Sequence, residues 1–316
     1  MSDGRTALLG LDWGTTSLRA YRIDSHGTVL EERASESGIL RVDSGDFAGT
    51  LATAIGDWLA DAPTAPIIAA GMIGSRQGWV EVPYATCPAG LPELALGLGR
   101  VPGPDGRAVH IVPGALRAAS GGEFPDVMRG EETQIIGDFA GRRRDTRRYV
   151  LPGTHSKWAW CEDGRLVGFA TYMTGEVYDV LRQHSILGRL MSGDAPDDGA
   201  FGRGLDRARQ STGAPPGRLL HDLFSTRTFG LVGTLPGSAL ASYLSGLLIG
   251  GEILAATPNF LEGEIVVLGS GALTALYLRA LATMGIPAAA GASDAAAHGL
   301  WAIAQAAGLV GKTIDA

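Results

Sequence analysis

A strand, a glycine-containing turn and a second strand occur in this order twice in the chain, and this repetition limits the fold more than any other feature. In the first copy, residues 8–11 are apolar and residues 18–23 form the second strand. In the second copy, residues 149–151 are apolar and residues 158–161 form the second strand. A unit that recurs at corresponding places in both halves predicts a duplicated fold with paired loops.

The loop of the first copy has the composition of an anion-binding site. Asp12 ends the first strand, and Gly14, Thr15, Thr16 and Ser17 form the turn. Gly14 lets the backbone come close to a ligand, and the amide and hydroxyl groups of the next three residues can donate to an anion. Asp12 is placed to hold Mg²⁺ through water, because Mg²⁺ prefers oxygen ligands and is shared with nucleotide phosphates. A plain hairpin turn favours the same residue types and remains an alternative.

The loop of the second copy occupies the same place in its own meander. It consists of Gly153, Thr154, His155, Ser156 and Lys157. Two anion-binding loops that face each other would hold a polyphosphate from both sides.

Length, charge and cysteine content exclude several classes of protein. The 316 residues predict one large or two medium domains. A net charge of −7 argues against nucleic acid or an anionic membrane as the main partner. The two cysteines form no metal-ligand spacing and no disulfide framework, and no signal peptide precedes the first strand, so we expect a cytoplasmic protein. The apolar residues 239–256 are interrupted by Glu252 and predict a buried helix rather than a membrane span.

The remaining pattern predicts alternating helices and strands with two irregular regions. Periodic apolar residues predict helices over the ranges 46–60, 128–140, 176–190 and 293–307, and a buried strand over 67–70. Residues 87–107 and 192–216 are rich in glycine and proline. We therefore expect mostly loop with one short helix in the first region and an irregular excursion in the second. The basic residues of 142–148 are typical of a solvated connector.

Two further nucleotide-binding patterns need to be weighed. Residues 306–313 fit a loose P-loop expression, but a helix precedes them and no helix can follow, so we reject that interpretation. Gly269, Ser270 and Gly271 lie between a predicted strand and a predicted helix. They indicate a close backbone approach to a flat or anionic group, or simply a tight turn, and they lack the further residues that NAD binding needs.

Together these stretches resemble the phosphate and adenosine motifs of the sugar kinase, Hsp70 and actin superfamily. Residues 9–17 are similar to its first phosphate loop, residues 151–157 to its second, residues 266–271 to its adenosine motif and residues 295–303 to its last hinge helix. More narrowly, three motifs resemble the 2-dehydro-3-deoxygalactonokinase family: Gly71-Met72-Ile73-Gly74-Ser75-Arg76-Gln77-Gly78-Trp79, Met128-Arg129-Gly130-Glu131-Glu132-Thr133-Gln134 and residues 151–158.

This resemblance implies an α/β protein with two ribonuclease-H-like domains of the actin and hexokinase type, 1–141 and 142–316, and a cleft between them. It implies ATP-dependent phosphorylation of the 6-hydroxyl of 2-dehydro-3-deoxy-D-galactonate, a step in D-galactonate catabolism, with Mg²⁺ as the metal. The two loops and Gly269–Gly271 would then bind ATP. The sugar acid would contact Ser75, Arg76, Trp79 and Arg19, with Arg76 as the first choice for its carboxylate.

Two departures from the wider superfamily affect the assignment of the catalytic groups. Pro152 stands where the second phosphate loop often begins with Asp, so metal binding falls mainly on Asp12. The usual catalytic Asp at the start of the preceding helix is replaced by Glu131 and Glu132. Adjacent helical residues point about 100° apart, so at most one of the two can act as the base, and Glu132 is our first choice.

Other functions remain open from the sequence. A kinase or phosphohydrolase of the same fold could use another sugar-acid or phosphate substrate. A non-catalytic ATP-binding scaffold of the actin type is a further alternative. The sequence leaves open whether the chain forms a homodimer.

Overall fold

A computed structural model describes residues 4–122, 124–139, 146–211, 213, 218–259, 265–269 and 271–311. The chain divides into two compact units. The first comprises residues 1–146, 159–169 and 291–316, and the second comprises residues 147–158 and 170–290. The predicted domain boundary between residues 141 and 142 lies outside the described residues and stays a prediction.

The strands are β1 (Thr6–Trp13), β2 (Leu18–Asp24), β3 (Val29–Ser35), β4 (Ile67–Ala70), β5 (Ala85–Thr86), β6 (Gly99–Pro102), β7 (Ala108–Ile111), β8 (Ala115–Arg117), β9 (Asp126–Met128), β10 (Arg147–Leu151), β11 (Ser156–Glu162), β12 (Arg165–Tyr172), β13 (Ile265–Val267) and β14 (Ala288–Ala290). The α-helices are α1 (Phe47–Asp61), α2 (Leu91–Leu96), α3 (Glu131–Phe139), α4 (Thr174–His184), α5 (Asp198–Gln210), α6 (Arg218–Leu223), α7 (Ser225–Leu231), α8 (Gly237–Ala256), α9 (Gly271–Thr283) and α10 (Ala295–Ala306).

The two large sheets repeat one arrangement. One has the strand order β3-β2-β1-β4-β7-β6, in which β1 to β3 form an antiparallel meander and β4 and β7 continue parallel to β1. The other has the order β12-β11-β10-β13-β14, with β13 and β14 parallel to β10. A small sheet has the order β5-β8-β9. Each predicted turn joins the first two strands of its meander, so the mixed α/β fold and the duplication are confirmed.

The first unit is built around the apolar strands β1 and β4. Helix α1 begins after Asp46, whose carboxylate accepts a hydrogen bond from the Gly49 amide at 2.8 Å, and it buries one apolar face. Helices α3 and α10 pack very closely. A Cβ atom on Gly137 would lie 1.8 Å from the Ala295 carbonyl oxygen, and one on Gly299 would lie 1.9 Å from the Thr133 carbonyl oxygen. The small residues of α10 therefore fix the position of α3, which carries the two candidate base residues.

The second unit is organised around α8. This helix is long and apolar enough to cross a membrane, but 67% of its most apolar window is buried inside the protein. Helix α5 lies against it at Gly204 and Gly246, where added Cβ atoms would lie 2.2 Å and 2.1 Å from backbone oxygens of the opposite helix. Helix α8 is therefore a core helix, as the sequence predicts.

Several predicted boundaries are wrong for identifiable reasons. The predicted helix over 128–140 begins only at Glu131, because Met128 ends β9 and Gly130 has a φ of 107°. The expected excursion over 192–216 contains helix α5, whose glycines serve its packing on α8. The region 87–107 contains the one short helix that was expected, α2, but also the strand β6, which was not expected. Helix α4 ends at His184, before the predicted residue 190.

Candidate active site

The first glycine turn presents three hydroxyl side chains to solvent. Thr15, Thr16 and Ser17 are exposed, while the Gly14 amide donates to the Ser17 carbonyl at 2.9 Å and closes the turn. The turn is also held from behind, since the amides of Ile39 and Leu40 donate to the carbonyls of Gly14 and Thr15. Its backbone is therefore fixed and its hydroxyl groups are available to a ligand.

Asp12 lies at the end of β1, directly opposite Arg19 of β2. Its side chain is only half-buried by surface area, but its pKa is raised, chiefly by burial, while the charge of Arg19 opposes this and the charge of Glu131 adds to it. Burial and the charge of Asp12 also raise the pKa of Tyr21 to about 12. The charges of Arg19 and Glu131 thus both act on the Asp12 carboxyl group.

Two glycines allow Glu131 to approach the end of β1. Gly71 follows β4 with a φ of 96°, and a Cβ atom there would lie 2.7 Å from the Trp13 carbonyl oxygen. Gly130 has a φ of 107°, and a Cβ atom there would lie 3.2 Å from the Gly71 Cα atom. Side chains rarely adopt such φ values, so both positions favour glycine. The start of α3 is in this way brought against the strand that carries Asp12.

The two glutamates at the start of α3 have different environments. Glu132 is 1% exposed, and its carboxyl group accepts from the Gly130 amide at 2.7 Å and from Thr133 Oγ1 at 2.8 Å. Burial, followed by the charge of Glu131, raises the pKa of Glu132 to about 8. Glu131 is half-buried and accepts from the Arg129 amide at 3.0 Å. Glu132 is therefore protonated at neutral pH and occupied within its own turn, whereas Glu131 is the one whose charge acts on Asp12.

The segment after β4 carries three of the residues that are predicted to bind the sugar acid, and each has a different environment. Trp79 is half-buried and stacks on Phe47, with ring centroids 6.0 Å apart. Ser75 Oγ is buried and has no hydrogen-bond partner in the described part of the chain. Arg76 is exposed, and no ion pair joins it to any of the described carboxylates. Ser75 and Arg76 therefore have polar groups to offer, whereas Trp79 is part of the packing.

Arg129 belongs to a family motif but has no role predicted from the sequence, and the structure places it in the candidate site. It is 8% exposed, its Nη2 donates to the Val82 carbonyl at 2.7 Å, and its guanidinium lies 4.4 Å from the centre of the Tyr84 ring. Its Nε and Nη1 atoms find no hydrogen-bond partner among the described residues. Nη1 lies against Gly74, where a Cβ atom would come within 2.9 Å of it. The signal available in the sequence was an arginine directly before a glycine and an acidic helix start.

The second glycine turn differs from its prediction in its last two residues. Gly153, Thr154 and His155 form the turn, but Ser156 and Lys157 already belong to β11 and are buried. His155 Nε2 lies 2.5 Å from Glu176 Oε2, and Lys157 Nζ donates to the His155 carbonyl at 3.3 Å. The exposed part of this loop is therefore shorter than expected.

An apolar cavity of about 180 Å³ lies beside the second turn. Its walls come from Gly153, from Thr174, Gly175 and Tyr178 of α4, from Ser245, Leu248 and Ile249 of α8, and from Leu273, Leu276 and Tyr277 of α9. Gly269 and Gly271, at the start of α9, have positive φ values of 141° and 77°. Ser270 lies outside the described residues. The cavity and the glycine-rich turn therefore adjoin the same helix.

Comparison with known proteins identifies the family. The model of the 2-keto-3-deoxy-galactonokinase family matches residues 12–303. The chain is 35% identical over 300 residues to the 2-dehydro-3-deoxygalactonokinase of Escherichia coli (strain K12), covering 94% of this chain and 97% of that protein. The chain belongs to the 2-keto-3-deoxy-galactonokinase family.

A solved structure supports the same family at the level of the fold. The crystal structure of a Sinorhizobium meliloti protein described as a candidate 2-dehydro-3-deoxygalactonokinase is 36% identical and covers 95% of this chain and 98% of its own, with a TM-score of 0.84. The segment that the family model matches begins at Asp12 and includes both glycine turns, the segment after β4 and the start of α3.

The donor groups of the first unit fit a magnesium ion that is held mainly through water and phosphate. Among the residues that the structure describes, no cluster of three or more His, Cys, Asp or Glu side chains could enclose a metal. Mg²⁺ does not need such a cage, because it is commonly bound by one or two carboxylates together with waters and substrate phosphates. Asp12, with Glu131 beside it, supplies this kind of partial ligand set.

Proposed function

We propose that the protein is an ATP-dependent kinase that phosphorylates the 6-hydroxyl of 2-dehydro-3-deoxy-D-galactonate. Its membership of the 2-keto-3-deoxy-galactonokinase family supports this reaction. The observation that carries the proposal is that the start of α3, with Glu131, meets the end of β1, with Asp12, beside a turn with three exposed hydroxyl groups. Phosphoryl transfer needs positioned phosphates, neutralised charge and a base near the attacking hydroxyl, and little covalent chemistry from the protein.

Within this proposal the two acidic groups of the first unit have separate roles. Asp12 would hold Mg²⁺ through water, and the bound ion would neutralise charge on the phosphate groups. Glu131 accepts the proton of the 6-hydroxyl as that oxygen bonds to the γ-phosphorus, while the bond from this phosphorus to the bridging oxygen breaks and ADP leaves. Arg19, opposite Asp12, limits the repulsion between the two carboxylates. Glu132 keeps its proton at neutral pH and positions the turn through its bond to the Gly130 amide.

ATP binds through both glycine turns in this proposal. The amides and hydroxyls of Thr15, Thr16 and Ser17 donate to phosphate oxygens, as do the exposed groups of the second turn. The apolar cavity binds the adenine ring. Its volume of about 180 Å³ is below the roughly 300 Å³ at which pockets for whole ligands begin, so it takes this part of ATP and not the whole molecule. Gly269–Gly271 let the backbone come close to the nucleoside.

The sugar acid binds to the segment after β4. Its carboxylate pairs with Arg76, whose guanidinium has no partner among the described carboxylates. The unpaired Ser75 Oγ and the free donors of Arg129 are further polar groups that a ligand would satisfy, since buried polar atoms in native proteins are nearly always hydrogen-bonded. Such groups favour a kinase with a polar substrate over a scaffold that only binds nucleotide.

The test is a coupled assay of ATP turnover with a panel of 2-keto-3-deoxy sugar acids, with ATP alone as the control. We expect turnover to require the sugar acid and to be fastest with 2-dehydro-3-deoxy-D-galactonate. Hydrolysis of ATP at the same rate without any sugar acid would contradict the proposed kinase activity and indicate a phosphohydrolase. The Arg76→Lys variant should raise KM for the sugar acid and leave KM for ATP unchanged, because lysine loses the bidentate geometry.

A further inference from the structure

Glu252 is a buried carboxyl group for which the reaction gives no role. It is the only charged residue of α8, and it is 4% exposed. Charged residues are almost never fully buried unless they are paired, because removal of a charge from water is costly. Its place in an otherwise apolar core helix therefore calls for a specific set of partners.

Four side chains from three other elements supply those partners. Ser156 Oγ and Trp158 Nε1, both of β11, each donate to Glu252 Oε1 at 2.7 Å. The Tyr277 hydroxyl of α9 donates to Oε2 at 2.7 Å. Thr174, at the start of α4, also hydrogen-bonds to this carboxyl group. Burial raises the pKa of Glu252, and the hydrogen bonds from its four partners oppose this rise. The four donors fill the acceptor capacity of a carboxylate without any basic residue.

The partners of Glu252 are parts of the proposed nucleotide site. Ser156 directly follows the second glycine turn, and Thr174 and Tyr277 line the apolar cavity. The turn also lies against α4, since a Cβ atom on Gly175 would be 2.4 Å from the Gly153 carbonyl oxygen. One carboxylate thus joins the phosphate-binding turn to two walls of the cavity.

We propose that Glu252 is a positioning residue for ATP, which fixes the second glycine turn relative to the α4 and α9 walls of the cavity. This inference rests on the proposed function, because it takes the cavity and the turn as the nucleotide site. Glu252 does not line the cavity and acts only through Ser156, Thr174 and Tyr277. Misplacement of binding groups by a fraction of their contact distance is enough to weaken a site substantially.

The acceptor pattern explains why glutamate is needed at this position. Trp158 Nε1 can only donate, so the oxygen that it contacts must accept. Burial is the main cause that raises the pKa of Tyr277, and the negative charge of Glu252 is the second. The Tyr277 hydroxyl therefore stays protonated and able to donate. Glutamine offers one acceptor oxygen and one amide group, so Glu252→Gln keeps the acceptor for the two donors of β11 but reverses the bond to Tyr277, whose hydroxyl would have to turn and accept from the amide.

The experiment measures binding of ATP by calorimetry in the absence of the sugar acid, followed by KM for both substrates. Glu252→Gln should weaken ATP binding by about tenfold or more, the range found when a residue that orients ligand-binding groups is changed, and should leave KM for the sugar acid unchanged. Tyr277→Phe removes only one of the four donors, so it should weaken ATP binding in the same direction by a smaller factor. This second variant decides the matter if Glu252→Gln does not fold.

Asp222→Asn is the matched control. Asp222 is a second buried carboxyl group of the same unit, 1% exposed, and it accepts from Arg207, Arg218 and Ser211 without contact to the cavity residues. This variant should lower Tm and keep wild-type ATP affinity. An unchanged ATP affinity in Glu252→Gln, or an equal loss of affinity in Asp222→Asn, would overturn the inference alone. A wild-type protein that binds no ATP would overturn the proposed function and this inference with it.

Discussion

The two glycine turns arise from the same strand–turn–strand pattern but use their polar groups in opposite ways. In the first turn the hydroxyl groups are exposed, and the nearest carboxyl group, Asp12, lies beside another acid, Glu131. Directly after the second turn, at the start of β11, Ser156 is fully buried and donates to Glu252, which belongs to a core helix. The carboxyl groups near the first turn, Asp12 and Glu131, are only half-buried. The carboxyl group next to the second turn, Glu252, is buried and joins elements of its own unit.

This difference indicates how a duplicated fold can divide one reaction between its copies. A carboxyl group with a raised pKa beside a second acid is typical of a site where a cation or a proton is handled. A carboxyl group whose acceptor positions are all filled by neutral donors is typical of a rigid support. We therefore expect changes at the first turn to act on kcat and changes at the second turn to act on nucleotide binding and stability.

Asp12→Asn should have the largest effect. Loss of the proposed metal anchor removes several kcal/mol of transition-state stabilisation, so kcat should fall by about a thousandfold or more at saturating Mg²⁺ and ATP. Tm should stay the same or rise, because the neutral amide removes the repulsion with Glu131. Near-normal kcat, or a large drop in Tm, would instead assign Asp12 to the stabilisation of its own turn.

Glu131→Gln should have the next largest effect. Loss of a positioned base lowers kcat by about a hundredfold or more, with the affinities for ATP and the sugar acid little changed. Glu132→Gln is the matched control one residue along the same helix. It should keep most of the activity, because the amide reproduces the protonated carboxyl group that accepts from Gly130. If both variants remain active, the base lies elsewhere, and Asp12 is the first group to examine.

The local part of this site could be predicted from the sequence. Asp12, the first turn and Arg19 belong to one hairpin, so their proximity follows from the pairing of β1 with β2. The acidic start of α3 was predicted as well, and the family motifs pointed to the segment after β4. These features depend on neighbours within a few residues or on a recognisable motif.

The long-range part could not be predicted. Glu131 rather than Glu132 acts on Asp12 because Gly130 packs against Gly71 and Gly71 packs against Trp13, so that three distant segments meet. The partners of Glu252 lie as far as 96 residues away in the chain. Its presence in 239–256 was recognised only as an interruption of an apolar run. The glycines of α5 suggested an irregular region because their packing role depends on α8.

The pH dependence of stability should reveal the buried acid of the first unit. The pKa of Glu132 is raised from 4.5 to about 8, so between these values the folded protein holds a proton that the unfolded chain has released. The free energy of unfolding should therefore fall as pH rises through this window, by up to about 1.4 kcal/mol per pH unit. Urea unfolding of the wild type and Glu132→Gln from pH 5 to pH 8 measures it, and the slope should be steeper in the wild type, because Asp12 and Glu252, whose pKa values are also raised, contribute to it in both proteins. Parallel curves would mean that Glu132 is already ionised when folded.

The smallest expected effect compares the serines at equivalent sequence positions of the two copies, Ser17 in the first turn and Ser156 at the start of β11. Ser156→Ala removes one donor from buried Glu252 and should lower the free energy of unfolding by about 1–3 kcal/mol, whereas Ser17→Ala removes an exposed hydroxyl and should change it by less than about 0.5 kcal/mol. Both variants are measured by urea unfolding without ligands, so that only the folded turns are compared. The loss at Ser156 should lie at the lower end of its range, because Trp158 Nε1 still donates to the same oxygen. Equal losses of stability at Ser156 and Ser17 would mean that the buried position of Ser156 does not make it more important for folding than its exposed counterpart.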